Sequence, residues 1–299
     1  MPLVIEANYE EFSLHLNIYL IPDMTHKSFF ETDSKQRKIF YQQWLPNQET
    51  KGMIALVHGL GEHSSRYQHL ASYVNSHNLG LIAVDLYGHG QTTGKRGHAD
   101  SMEAYMEQIG RLLELAKQAA PDKPVFLYGH SMGGALVLNY LFRHKPSING
   151  VIVTAPAIRP GFEVPKPLLI IGKIARAIAP SFTQANSLDL ENLSHDREVI
   201  EKYKADPLVH NQVSGMVGIT LIEWGEWLLH NAKHTPLPLL LMHGTDDHLT
   251  SYEASKLFVS QLTGDVTFKT WQNLYHEIHN EFEKQQVFDY TWQWLQKHL

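Results

Sequence analysis

The sequence predicts an α/β fold: a mostly parallel central sheet flanked by helices, with one inserted helical segment. Three observations carry this expectation. Short apolar runs alternate with helical patterns through the first half of the chain, as βαβ crossovers require. One of those runs, Val125–His130, leads straight into Gly129-His-Ser131-Met-Gly133, a strand-to-helix turn. The alternation then stops between Ala157 and about Leu237, and strands resume at Pro238–Gly244 and Val266–Trp271.

Taken in order, residues 27–57 alternate in strand fashion, with Lys38–Trp44 and Met53–Val57 as the better segments. Tyr67–His77 reads as a helix that stops at Gly80, and Leu81–Asp85 as the next strand. Asp100-Ser-Met-Glu103 resembles a capping box and opens a helix to about Ala120, ended by Pro121. After the Val125–His130 strand, a helix runs from Gly134 through Phe142 and ends at His144-Lys-Pro146, followed by the strand Gly150–Thr154.

The pentad around Ser131 has the spelling of a nucleophile elbow. A serine at the apex of so sharp a turn needs small neighbours, and Gly129 and Gly133 supply them. A nucleophilic serine also needs a base, an orienting acid and an oxyanion hole. With this elbow the chain order is Ser, then Asp or Glu, then His. Downstream, the strand ending at Gly244 delivers Thr245-Asp246-Asp247-His248, and the strand ending at Trp271 precedes His276. Both lie just beyond strand ends, where open α/β sheets place their chemistry. The residues alone leave Asp246 and Asp247 equally eligible as the acid. Upstream, Leu60 in the Gly59-Leu60-Gly61 loop offers one oxyanion N–H, and Met132 the other.

Four runs in one order extend the pattern: His58-Gly-Leu-Gly-Glu-His-Ser-Ser-Arg-Tyr67, Asp85-Leu-Tyr-Gly-His-Gly90, the Ser131 elbow, and Tyr203-Lys-Ala-Asp-Pro207. Together they resemble the monoacylglycerol lipase and lysophospholipase branch of the α/β-hydrolases, over roughly residues 30–298. The resemblance implies the α/β-hydrolase fold, with Ser131 as nucleophile, His276 as base and Asp247, rather than Asp246, as acid. One departure touches a supporting loop: Gln91-Thr-Thr-Gly94 carries Thr where this family has Ser.

The expected division is a core of residues 1–157 and 238–299 with a helical cap of 158–237. Helix signals fall at Leu168–Ala179, Arg197–Lys204 and Met216–Leu229, without intervening strands. The first and third are unusually apolar. Periodicity leaves two readings: side chains buried against the core, or a lid whose Ile174, Ile178, Trp224 and Trp227 line an acyl-chain pocket and touch lipid. The resemblance favours the lid.

Composition narrows the remaining classes. At 299 residues with 43% apolar and 19% charged, the chain is an ordinary globular one. A net charge of −6 without a basic stripe argues against a nucleic-acid partner. The absence of cysteine excludes disulfides, thiolate catalysis and cysteine-based zinc sites. The first eleven residues lack the basic and apolar regions of a signal peptide, so a cytoplasmic protein, peripheral at membranes through its cap, is expected. Nineteen histidines invite a metal, but His276-Glu-Ile-His279 and His58-Gly-Leu-Gly-Glu-His63 both miss the spacings of zinc hydrolases. Gly88-His-Gly90-Gln-Thr-Thr-Gly94-Lys-Arg96 likewise misses the nucleotide-loop patterns. His58 and His130 read as structural residues beside the oxyanion loop and elbow. The expectation is therefore a serine carboxylic-ester hydrolase needing no metal or organic cofactor and acting on acylglycerol or lysophospholipid-type esters. A short-chain or aryl esterase, or a binding protein that has lost turnover on the same fold, remain the alternatives.

Overall fold

The computed structural model describes residues 17–21, 24–186 and 188–299; the signal-peptide reading of the N-terminal residues lies outside them. Nine strands among these form one sheet: β1 (Asn17–Ile21), β2 (Met24–Thr32), β3 (Lys38–Pro46), β4 (Gly52–Val57), β5 (Leu79–Val84), β6 (Val125–His130), β7 (Gly150–Thr154), β10 (Leu239–Gly244) and β11 (Val266–Trp271). Their order is β1-β2-β3-β5-β4-β6-β7-β10-β11. From β5 onward every pairing is parallel, and the first three strands add an antiparallel edge.

The central strands are buried on both faces, which is why they read as unbroken apolar runs. Their side chains nevertheless sort with a period of two. Met53, Ala55, Val57, Leu239 and Leu241 face α2 (Met102–Ala119), α3 (Met132–His144) and α7 (Tyr252–Ser260). Ile54, Leu56, Leu240 and Met242 face α1 (Gln68–Ser76) and α8 (Lys284–Leu295) on the other side. Two cores therefore sandwich one sheet. The N-cap of α2 is Ser101, whose side chain accepts from Ala104 N–H, and not Asp100. Asp100 is engaged with Lys35 and Arg37 instead.

Between β7 and β10 lie α4 (Lys166–Ile178), α5 (Arg197–Ala205) and α6 (Gly215–Asn231), within a residue or two of the expected helices. The expectation of no strands there is corrected: β8 (Thr183–Ala185) and β9 (Gln212–Ser214) pair antiparallel. Three-residue strands are too short to show a period in the sequence. The segment is fastened unevenly. Its second half is stitched to the sheet's loops through Glu277 N–H to Leu193 O (2.8 Å), His210 N–H to Gly61 O (2.9 Å) and Ser214 N–H to Gly97 O (2.9 Å). By contrast, α4 buries no residue fully and packs on α6, with Arg176 paired to Glu223. No helix among the described residues is long and apolar enough to cross a membrane.

Helix α6 approaches the chain so closely at Gly225 that a Cβ there would strike the Ile158 carbonyl. Replacing Gly by Ala in a helix interior gains about 1 kcal/mol of propensity, whereas forcing an atom into a packed backbone contact costs about 1–3 kcal/mol. Gly225→Ala should therefore lower the urea midpoint, and an unchanged or raised midpoint would mean that α6 shifts freely.

Candidate active site

Ser131 stands between β6 and α3 with φ 55° and ψ −119°, a backbone conformation that non-glycine residues rarely adopt. Its neighbours permit this. A Cβ on Gly133 would strike the Val57 and His58 carbonyls, and one on Gly129 would meet the Gly133 carbonyl. The turn is further held by Ser131 N–H to Thr154 O at 3.0 Å and Ala157 N–H to Ser131 O at 2.9 Å. Because Ser131 precedes the first turn of α3, the Met132 N–H has no acceptor among the described residues. Leu60 N–H is in the same position.

His276 Nδ1 lies 2.7 Å from Asp247 Oδ2. That carboxylate is buried, with Oδ1 accepting the amides of Leu249 (2.8 Å) and Thr250 (2.9 Å) and Oδ2 the Thr250 hydroxyl (2.8 Å). Burial alone would raise the Asp247 carboxyl. The charge of His276 and hydrogen bonds from His243 and His276 instead hold it well below the ordinary carboxylate range. Burial would likewise lower His276, but the neighbouring Asp247 lifts it above the usual histidine value. Asp246 contacts Thr245 instead of an imidazole. Ser131 and His276 line the same cavity.

A buried ion network holds the two loops that flank Ser131. Glu62 Oε1 accepts Gly59 N–H (2.6 Å) and the Tyr67 hydroxyl (2.7 Å), and its Oε2 takes Arg66 (2.6 Å). Arg66 also forms a fork onto Glu277 at 2.7 Å for each oxygen, and its guanidinium lies 4.6 Å from the centre of the Tyr203 ring. Burial would raise the Glu277 carboxyl, yet Arg66 brings it down to about 2. None of Glu62, Arg66 or Glu277 was singled out from the sequence, although the first two stand in the His58–Tyr67 run, four residues apart. His58 and His130 have the supporting contacts expected of them. His58 bridges Gly59 O (2.8 Å) and Leu86 N–H (3.0 Å), and His130 meets the Thr154 hydroxyl at 3.0 Å. Thr92, in the departing loop, still donates to Asp85 O and accepts Phe40 N–H.

Two cavities meet at Leu60, Ser131 and His276. One, about 440 Å³, runs past Glu62, Tyr203, Asp206 and His210. The other, about 300 Å³, is apolar and runs between α4 and α6 past Leu169, Ala175, Ile219 and Ile222. The four residues expected to line a pocket do not line either one. On α4, Leu168, Ile171 and Ala175 turn to the cavity, so Ile174 and Ile178 fall on the outer face, 54% and 79% exposed. Trp224 and Trp227 face α3, where Arg143 lies 4.7 and 3.8 Å from their ring centres. Phe162, Leu168, Ile171 and Phe182 are both exposed and on the cavity wall, so the apolar cavity opens onto an apolar patch.

A family model described as Hydrolase_4, serine aminopeptidase S33, matches residues 48–283. The chain is 33% identical over 264 residues to the monoacylglycerol lipase of Mycolicibacterium smegmatis, covering 88% of this chain and 94% of that protein. It is 36% identical over 271 residues to an uncharacterized abhydrolase domain-containing protein of Dictyostelium discoideum, covering 89% of this chain but only 28% of that longer protein. Among solved structures, the Paleococcus ferrophilus monoacylglycerol lipase superposes with a TM-score of 0.80 at 31% identity, covering 87% of this chain and 99% of that one.

Removing one partner of a buried ion pair leaves the other uncompensated and costs about 3–5 kcal/mol. Arg66→Met should lower the unfolding free energy in urea by that order and slow ester hydrolysis in the fraction that folds. A loss below about 1 kcal/mol would mean that the two loops are held by other contacts.

Proposed function

This chain belongs to the Hydrolase_4 family and is a serine hydrolase of the α/β-hydrolase fold, and we propose that it cleaves fatty-acyl esters of small alcohols, monoacylglycerols first. In this reading Ser131 is the nucleophile. His276 takes its proton and returns it to the leaving alcohol, and Asp247 accepts from Nδ1 and balances the imidazolium. The amides of Leu60 and Met132 receive the oxyanion; losing one such donor typically costs about 10²–10³ in rate. Residues 158–237 act as a cap over this machinery. The observation that carries the substrate is the pair of cavities meeting at Ser131, one apolar for an acyl chain and one where Glu62, Asp206 and His210 interrupt a leucine-rich wall and can hold an alcohol. The Mycolicibacterium smegmatis relative and the solved Paleococcus ferrophilus structure, both named as monoacylglycerol lipases, support the same substrate class.

Ser131→Ala should fold, lose hydrolysis by roughly 10⁴ or more, and no longer take a fluorophosphonate label in intact-mass spectra. A label still forming would move the nucleophile elsewhere, and an unlabelled, inactive wild type would leave a binding protein.

Each buried methylene is worth about 0.8 kcal/mol, so about four of them give over a hundredfold in binding. We therefore expect kcat/KM to rise from acetyl to long acyl esters. Ala175→Phe, which obstructs the apolar cavity, should flatten that rise. A profile that peaks at acetate would leave a small-ester esterase.

The exposed face of α4 supports transient contact with a lipid surface, with Ile170, Ile174 and Ile178 entering the interface. The double variant Ile174→Glu, Ile178→Glu should sediment less with phosphatidylcholine–monoacylglycerol vesicles than the wild type, while a water-soluble ester is still turned over. Equal sedimentation would remove the membrane claim.

A further inference from the structure

Two imidazoles converge on the Asp247 carboxylate. Opposite His276, His243 Nε2 lies 3.0 Å from the same Oδ2, and His243 Nδ1 lies 2.9 Å from the Ser255 hydroxyl of α7. His243 is the penultimate residue of β10 and fully buried. The acyl-transfer chemistry proposed above needs one imidazole, and a buried polar ring is costly unless it is fully partnered. An ionised carboxylate can only accept, so Nε2 must carry the proton. With the Ser255 hydroxyl donating to Nδ1, both ring nitrogens are partnered.

We propose that His243 is a positioning residue for the triad acid: fixed in its Nε2–H tautomer by Ser255, it donates to Asp247 Oδ2 and sets both the carboxylate's orientation and its grip on the His276 proton. This rests on the reading of Asp247 and His276 as acid and base. A hydrogen bond to a carboxylate favours its charged form and makes it a weaker base. Asp247 so restrained still orients His276 but stabilises the imidazolium less than a lone buried carboxylate would. The other groups facing His276 are His130 from β6, Glu277 and His279 that follow it, and Glu62 just before the turn at 64–67, which Arg66 grips. Facing His243 are Thr250 and, on α7, Tyr252 and Ser255. All of these persist when His243 alone is changed.

The test is the pH profile of kcat and kcat/KM on a p-nitrophenyl ester for wild type, His243→Leu, His243→Gln, Ser255→Ala and Asp247→Asn. Catalysis needs neutral His276, so activity falls as pH drops through its pKa. Without the His243 donor, Asp247 holds that proton more tightly and the acid limb moves to higher pH. His243→Leu should lose about tenfold or more in kcat, with KM little changed and the limb raised by about half a unit or more. His243→Gln, whose amide can donate to Oδ2, should restore the limb toward the wild-type position. Ser255→Ala should raise it by less than His243→Leu. A limb at the wild-type pH in His243→Leu, with activity lost only in proportion to unfolded protein, overturns the proposal. If that variant does not fold, an unmoved limb in Ser255→Ala does so. Asp247→Asn separates the two layers: full activity there sinks the triad reading and this proposal together, whereas its loss beside an unmoved His243→Leu limb sinks only the latter.

Discussion

Two carboxylates buried within reach of each other cannot both stay ionised unless a cation stands between them, and Arg66 is that cation. Its planar fork fixes more than charge. One edge grips Glu277, the residue after His276, while the same guanidinium reaches Glu62 and lies against the Tyr203 ring of α5. The loop after β4, the loop after β11 and α5 are thereby registered to one side chain. Glu62 passes the constraint on by accepting Gly59 N–H, one residue before the Leu60 amide proposed as an oxyanion donor. Glu277 is held down at about 2, so its contribution is fully present above the ordinary glutamate range and is lost only as pH falls through the region below it.

Where a signal is local, the sequence carried it well. Strands buried on both faces announce themselves as apolar runs, and β7 and β11 fall at the expected residues. The elbow is legible because strand, strained serine and helix are consecutive. The acid was not: residues alone left Asp246 and Asp247 even, and only the family resemblance separated them. In the structure Asp247 is buried against His276, while Asp246 is exposed and contacts Thr245.

What escaped the sequence is what depends on contacts far apart in the chain. Helical periodicity tells which residues share a face of α4 or α6 but not what that face meets. Ile174 and Trp224 were thus assigned to a pocket that Leu169 and Ile222 line. Arg66 and Glu277 are 211 positions apart, so no window of sequence could reveal their pairing. His243 looked like one more strand residue, and its meaning comes only from the Ser255 and Asp247 atoms around it.

The uneven fastening of the segment between β7 and β10 has a thermodynamic consequence. Exposing α5 means uncovering buried Ile200 and Tyr203, and exposing the 210–214 stretch means breaking its backbone hydrogen bonds to Gly61 and Gly97, whereas exposing α4 means releasing one helix face and a partly exposed ion pair. Opening free energies within one native state range from near zero to the global value, and α4 sits at the low end of that range. Its amide protons should exchange with solvent through small local excursions while those of α5 await larger ones. The α4 wall of the apolar cavity therefore loosens before the α5 side of the same segment, without disturbing the groups assembled around Asp247.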